Sequence, residues 1–245
     1  MEVYLNRVDG WDDAILTMFY SKRTITREFE EQVRKAVYES TSHNPDNGII
    51  GQLIDSDHWE QVEKWLTTLF KWAPHHTTMG RFLDLSFTVY GMHRAGQDDW
   101  DAHAKRYNNR IIRSSTRLAD FKSGEMSEYY AGKIVPTDVA LAALGIATPN
   151  EIEYEGKTYV RAVNGYVLKG EENNKDVKRG LYMLSIPSNF IFKVDLTEFA
   201  HVYKERRQEG TANPEVKRAC ESMASLLRVA SRGFITKELL MSIKN

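Results

Sequence analysis

The sequence predicts an α+β protein with a mixed or antiparallel sheet and flanking helices. Three observations carry this. A period of two from Phe82 to Val89 marks a strand, and a three-to-four-residue apolar step after Pro214 marks a helix. Two turn dipeptides between β-formers from Glu151 to Gly170 mark a hairpin region. Strands and helices do not alternate regularly, which excludes a series of βαβ units. With no internal repeat and no low-complexity tract, the 245 residues read as one domain, 1–245.

In chain order, MEVYL reads as a short strand, and Thr24–Val37 as a polar helix with Thr26 as N-cap. The loop STSHNPDNG follows. Ser56 or Asp57 is expected to cap a helix that carries Trp59, Val62, Leu66 and Leu69 on one face and ends before Pro74. Leu83, Leu85, Phe87 and Val89 then alternate with Asp84, Ser86 and Thr88, a half-buried strand leaving at Gly91. Gln97–Arg117 is strongly polar and reads as helix, and TDVALAAL after Pro136 as a short capped helix. Asn164-Gly165 is the strongest hairpin signal. Tyr182, Leu184, Ile186, Phe190, Phe192 and Val194 predict a strand kinked at Pro187. HVYKERRQ alone reads as surface helix. Asn213-Pro214 then caps a helix whose core stripe is Val216, Ala219, Cys220, Met223, Leu226, Leu227 and Ala230.

Composition excludes several functions. Lys+Arg 33 against Asp+Glu 34 gives a net charge of -1, which counts against electrostatic grip of DNA or anionic lipid. One cysteine, Cys220, leaves no internal disulfide and no thiolate-rich zinc site, and its place on the core stripe makes it a buried apolar residue. No apolar run reaches the roughly 20 residues of a membrane span. The expectation is a cytoplasmic protein without membrane attachment. His75, His76, His93 and His103 lack HExxH spacing, so no metal is expected. GxGxxG, GxxxxGK[ST] and GxSxG are absent as well.

The densest polar feature is Lys105, Arg106, Arg110, Arg113 and Arg117 interleaved with Ser114, Ser115 and Thr116. Guanidinium forks and hydroxyls together suit a phosphate. The same segment reads equally as a solvated basic face balanced by Asp98, Asp99 and Asp101. A nucleic-acid groove is a third reading, which the flanking acids count against.

In order along the chain, these segments resemble the flavin-dependent thymidylate synthases, the ThyX family. His76-Thr77-Thr78-Met79-Gly80-Arg81 stands where that family carries H-x-T-x-x-E-H, before a strand here written LSFTVYG and then His93-Arg94-Ala95. Lys105-Arg106-Tyr107 falls at the family's R-H-R, with Ser115-Thr116-Arg117 at the distance of its closing S-x-R. Lys178-Arg179-Gly180-Leu181 resembles the A-R segment, and the stretch from Phe192 to Phe199 has the spacing of N-x-R-x-L-x-x-F. Ala212-Asn213-Pro214-Glu215-Val216-Lys217 resembles A-Q-x-E-I-R, with Arg206 and Arg207 near the family's catalytic arginine.

The resemblance implies a ThyX-like fold, an FAD-, NADPH- and methylenetetrahydrofolate-dependent methylation of dUMP to dTMP, and a homotetramer. It makes Ser115, Arg117 and Arg179 nucleotide-binding, Arg207 or Arg206 catalytic, and Lys105, Arg106, Tyr107, His76 and Thr78 flavin-binding. The departures are specific. R-H-R is Lys-Arg-Tyr, the Asn and Arg of N-x-R are Phe192 and Val194, and the Glu and His of the first stretch are Gly80 and Arg81. Glu151–Gly170 stands as an insertion. Two further readings follow: a relative that acts on dCMP or makes a hydroxymethylated nucleotide, and a nucleotide- or nucleic-acid-binding protein on this scaffold without redox activity.

Overall fold

The computed structural model describes residues 1–22, 24–102, 110–115, 125–207 and 213–244. The first strand, β1 (Glu2–Asp9), turns through Gly10 into helix α1 (Trp11–Tyr20). Gly10 has φ +83°, and a Cβ there would stand 1.9 Å from the Phe82 carbonyl oxygen, so only glycine fits. Helix α2 (Arg27–Glu39) starts where Thr26 accepts a hydrogen bond from the Phe29 amide, as expected. Helix α3 (Trp59–Trp72) begins at His58 rather than at a Ser56 or Asp57 cap. The Ser56 hydroxyl is engaged with Ser40 and the His58 amide instead.

After a 3₁₀ turn (Thr77–Phe82) comes β2 (Asp84–His93), with Leu85, Phe87 and Val89 buried as their period requires. The expected helix over Gln97–Arg117 is corrected: α4 covers Arg94–Ala102, and Arg110–Arg113 is a strand, β3. Ile111-Ile112 is a β-branched pair, and pairing to a neighbouring strand outweighs the polar, helix-like composition around it.

Helix α5 (Thr137–Ala143) forms as expected but without a side-chain cap. It is followed by β4 (Glu151–Tyr154), β5 (Lys157–Ala162) and β6 (Gly165–Leu168), an antiparallel meander. Ala162 pairs with Gly165, so the second turn is Val163-Asn164 with Asn164 at φ 62°, not Asn164-Gly165. Gly165 opens β6, where a Cβ would meet the Leu181 side chain at 2.9 Å. Helix α6 (Lys175–Arg179) follows, and then β7 (Pro187–Asp195). Pro187 opens this strand rather than kinking a longer one, because proline brings no amide to the ladder.

The chain ends in three helices. Helix α7 (Leu196–Arg207) buries Phe199, Ala200, Val202, Tyr203 and Arg206, so HVYKERRQ belongs to a core helix and not a surface one. In α8 (Pro214–Ala230) the Asn213 side chain accepts from the Glu215 amide, and the stripe from Val216 to Ala230 is buried except for half-buried Leu226. Cys220 lies within it, its thiol pushed up by burial. Helix α9 is Lys237–Ser242.

The larger sheet has the order β1-β2-β7-β3. The chain divides into two compact units. One comprises Glu2–Val89, Asp98–Ile112 and Phe190–Asn245; in it α8 packs on β1 and on α7, and α1 on α2 and α3. The other comprises Met1, Tyr90–Gln97 and Arg113–Asn189 and holds the three-stranded meander. Among the described residues no helix is long and apolar enough to cross a membrane.

Candidate functional site

In the first unit the polar side chains of interest gather where α7 ends. Phe199, Val202, Tyr203 and Arg206 recur at helical spacing on the buried face of α7, which carries the Arg206 guanidinium into the interior, 1% exposed. Its Nη1 donates to Asp99 Oδ1 at 2.9 Å, and Asp99 Oδ2 accepts from the Asn213 amide at 3.5 Å. Nε and Nη2 of Arg206 have no hydrogen-bond partner among the described residues.

One residue on, Arg207 points outward and is half exposed, its Nε 3.6 Å from Glu221. Glu221 also accepts from the Tyr203 hydroxyl at 3.0 Å and pairs with Lys237. Burial, with Glu221 beside it, pushes the Tyr203 phenol up to about 12. The structure therefore separates the two arginines: Arg206 is an internal ion-pair partner, and Arg207 is half exposed beside Glu221.

The residues expected at a flavin fall into two groups. His76, which packs 5.9 Å from Trp72, and Thr78 are both exposed at the 3₁₀ turn. Lys105, Arg106 and Tyr107 lie outside the described residues, as does Arg117. At Gly80 a Cβ would stand 2.5 Å from Thr197 Oγ1, so a glutamate there requires the Thr197 side chain to move.

On β7 the alternation decides the matter. Phe190, Phe192 and Val194 face the core, where Trp100 packs edge-on against Phe192 at 5.3 Å, while Ile191 and Lys193 face outward. By the sequence resemblance, Phe192 and Val194 take the places of that family's flavin-contacting Asn and Arg. Apolar and enclosed, they do not fit that role.

The second unit holds a different arrangement. Gln97 is fully buried on the first turns of α4. Its Nε2 donates to the Met92 carbonyl at 3.1 Å, its Oε1 accepts from Arg94 Nη1 at 3.4 Å, and its backbone carbonyl accepts from Arg113 Nη2 at 3.1 Å. Beside it His93 is enclosed by Tyr129, ring centroids 5.7 Å apart, and by Tyr130 at 4.9 Å.

Ser115 is exposed just beyond β3, where the Ser114 amide still bonds the Asn189 carbonyl at 2.8 Å. Arg179 is the last residue of α6. Arg94 and Gln97 were absent from the sequence-based set, since within a polar stretch nothing marks which residues turn inward. Arg113 carried a signal only as one of the clustered cations. Among the described residues no group of three His, Cys, Asp or Glu side chains could hold a metal ion.

This element order, with one four-stranded and one three-stranded sheet among helices, makes the chain an α+β protein of the expected class. No family model matches the sequence, and no curated protein does. Solved structures do. Thymidylate synthase X (ThyX) from Helicobacter pylori, crystallised with FAD and dUMP, superposes with TM-score 0.54 at 11% identity, covering 98% of this chain and 100% of that one. A second structure of the ThyX from Helicobacter pylori, complexed with FAD and dUMP, gives 0.52 at 10%, with both chains covered in full. A UMP/dUMP methylase, PolB from Streptomyces cacaoi, bound with 5-Br dUMP, gives 0.50 at 12%, covering 99% and 95%. The fold is ThyX-like over essentially the whole chain.

Proposed function

We propose that the protein binds a pyrimidine nucleotide monophosphate and places a one-carbon group on C5 of the base, dUMP being the first substrate to test. The supporting observation is the ThyX-like fold over the full length, shared with proteins crystallised with dUMP or 5-Br dUMP. In this reading Ser115, Arg117 and Arg179 hold the phosphate, and Arg207 stabilises negative charge as C5 becomes nucleophilic. Arg206 is committed to Asp99 and supports the turn that carries Arg207. The phosphate contacts orient the base without taking part in bond-making. The sole cysteine, buried in α8, is no nucleophile.

FAD, NADPH and methylenetetrahydrofolate are the co-reactants of this reading, and a homotetramer in the cytoplasm is its setting. Flavin contacts would rest on His76, Thr78, Lys105, Arg106 and Tyr107, because β7 supplies none at Phe192 and Val194. That same observation favours a second reading, nucleotide binding without redox activity. Retention of the site with dCMP, or a hydroxymethyl product, is the variant of the first.

The deciding experiment is the visible spectrum of protein purified without added cofactor, before and after FAD, followed by gel filtration. A flavin band that co-elutes supports the enzyme. Nucleotide binding with no band, even in excess FAD, selects the second reading. Arg117→Ala is expected to weaken dUMP binding by about 2–5 kcal/mol if its contact is desolvated; unchanged affinity by calorimetry removes Arg117 from the site.

A further inference from the structure

The register of the three-stranded meander sorts its side chains onto two faces of opposite character. Cross-strand partners point to the same side, as do residues two apart along a strand. Tyr154 pairs with Lys157, Tyr159 with Ile152 on one side and Leu168 on the other, and Arg161 with Tyr166. Three tyrosines and two cations therefore share one face. Glu151, Glu153, Val160 and Val167 share the opposite face.

That opposite face is the one turned to the body of its unit. Val167 is buried, and the Leu181 side chain lies 2.9 Å from where a Cβ on Gly165 would stand. Its acids have partners: Glu153 accepts from Thr158 Oγ1 at 2.6 Å, and Glu151 pairs with Lys169 at 3.0 Å.

The tyrosine face looks outward. Tyr154, Lys157, Arg161 and Leu168 are exposed, and Tyr159 and Tyr166 are half-buried. Its rings are held in place: Tyr154 stands edge-on to Tyr159 with centroids 6.3 Å apart, and Tyr166 donates its hydroxyl to the Pro149 carbonyl at 2.7 Å. Among the described residues Lys157 and Arg161 have no ion pair and no side-chain hydrogen bond. No acid on the three strands shares this face, and Glu155 belongs to the turn between β4 and β5.

The face itself states the chemistry of what covers it. Unpaired positive charge calls for an anion, and fixed aromatic rings call for planar groups that can stack on them. A single-stranded nucleic acid offers both at every repeat, one phosphate and one unpaired base. A duplex keeps its base faces within its own stack, and an acidic peptide carries no planar group beside each charge.

We propose that this face of the meander binds single-stranded nucleic acid, with Tyr154 and Tyr159 as stacking platforms for bases and Lys157 and Arg161 as phosphate contacts. The whole-chain charge of -1 counts against electrostatic grip alone, whereas here stacking supplies most of the contact and two local cations the rest. The surface shares no residue with the proposed nucleotide site and does not rest on that reading.

The test is fluorescence anisotropy of the full chain with labelled oligo(dT), oligo(U) and a duplex of the same length, across a salt titration. The single strands are expected to bind with Kd on the order of 1–100 µM at physiological salt, more tightly than the duplex. Tyr154→Leu should lose about 5- to 150-fold, and Tyr154→Phe should stay within about 2-fold, because the ring and not the hydroxyl stacks. With Lys157→Gln and Arg161→Gln combined, the slope of log K against log salt should shrink by about 1.4, the share of two single-strand phosphate contacts. Each variant is checked for an unchanged melting temperature.

A second measurement needs no variant. Photocrosslinking of an oligonucleotide substituted with 5-bromouracil should label the wild type between Ile152 and Leu168. Equal binding of oligo(dT) and oligo(U) upholds the site, and so does a preference for one, which then says whether DNA or RNA is taken. Absence of binding to either strand overturns the proposal. So does binding that Tyr154→Leu and the double variant leave unchanged, a duplex bound as tightly as the single strands, or crosslinks confined to other segments.

Discussion

Two buried polar anchors, one in each compact unit, solve opposite problems. Arg206 brings a full charge into the apolar interior formed by α7 and α8, and Asp99 answers it with a carboxylate at 2.9 Å. Gln97 brings no charge of its own and draws two guanidiniums towards it. The first arrangement neutralises a charge inside the fold; the second gathers two guanidiniums on one uncharged residue. Burial of an arginine here follows from a packed ion pair and is not in itself a functional signal.

Four substitutions and one control would break or sharpen that contrast. The largest effect is expected for Phe192→Asn, which puts on the buried face of β7 the residue that the sequence resemblance expects there. There it would leave a cavity against Trp100 and an unpaired buried amide, costing about 4 kcal/mol in urea unfolding. Ile191→Asn, one residue away and outward-facing, should cost about 0.5 kcal/mol or less. Equal costs at the two positions would mean that the strand's faces are assigned the wrong way round.

Asp99→Asn comes next. It leaves the Arg206 cation enclosed without its counter-charge, and about 3 kcal/mol of stability should go, the low end for a broken buried pair because Asp99 itself is partly exposed. A loss below the error of a denaturant titration would show the pair to be dispensable.

Tyr203, in the same interior, gives a pH test. Its phenol ionises at 10.0 when unperturbed and at about 12 in the fold, so the folded state favours the protonated form. That contribution, on the order of 2 kcal/mol, is complete below pH 10 and is lost as pH rises from 10 towards 12. Tyr203→Phe should flatten this part of the stability profile; an unchanged slope would assign it to other tyrosines.

Apart from the Ile191 control, the smallest effect belongs to the other unit. In Gly96→Ala the new methyl would stand 2.8 Å from His93 Cε1, and the ring has Tyr129 and Tyr130 against it. Overpacking outweighs the helix-propensity gain, for a net loss of about 1 kcal/mol by thermal melting. A more stable variant would mean that the His93 ring has room to move.

The elements that the sequence made legible are those whose signal is local. Thr26 and Asn213 cap the helices they precede because a side-chain acceptor next to bare amides needs no tertiary partner. Leu85, Phe87 and Val89 face inward as their alternation requires. The failures are non-local. Arg110–Arg113 joined a sheet because of a strand remote in sequence, and α1 and α9 carried too little periodicity to be read. The turn at Val163-Asn164 slipped by one residue because Gly165 is wanted against Leu181, not at a turn apex.

The order of motifs along the chain determined by itself that the fold would be α+β and ThyX-like, since spacing and local pattern survive where identity does not. It also singled out the cations around Ser115 as a candidate for phosphate. Only the tertiary structure decided which arginines are interior and which are available. Arg206 and Arg207 are adjacent in sequence and alike in composition, and the turn of a helix sends one to Asp99 and the other towards solvent. Gln97, unremarkable in a polar stretch, became an organising residue because folding placed it under Arg94 and Arg113. Direction and burial are properties of packing, and no pattern of neighbours in one dimension contains them.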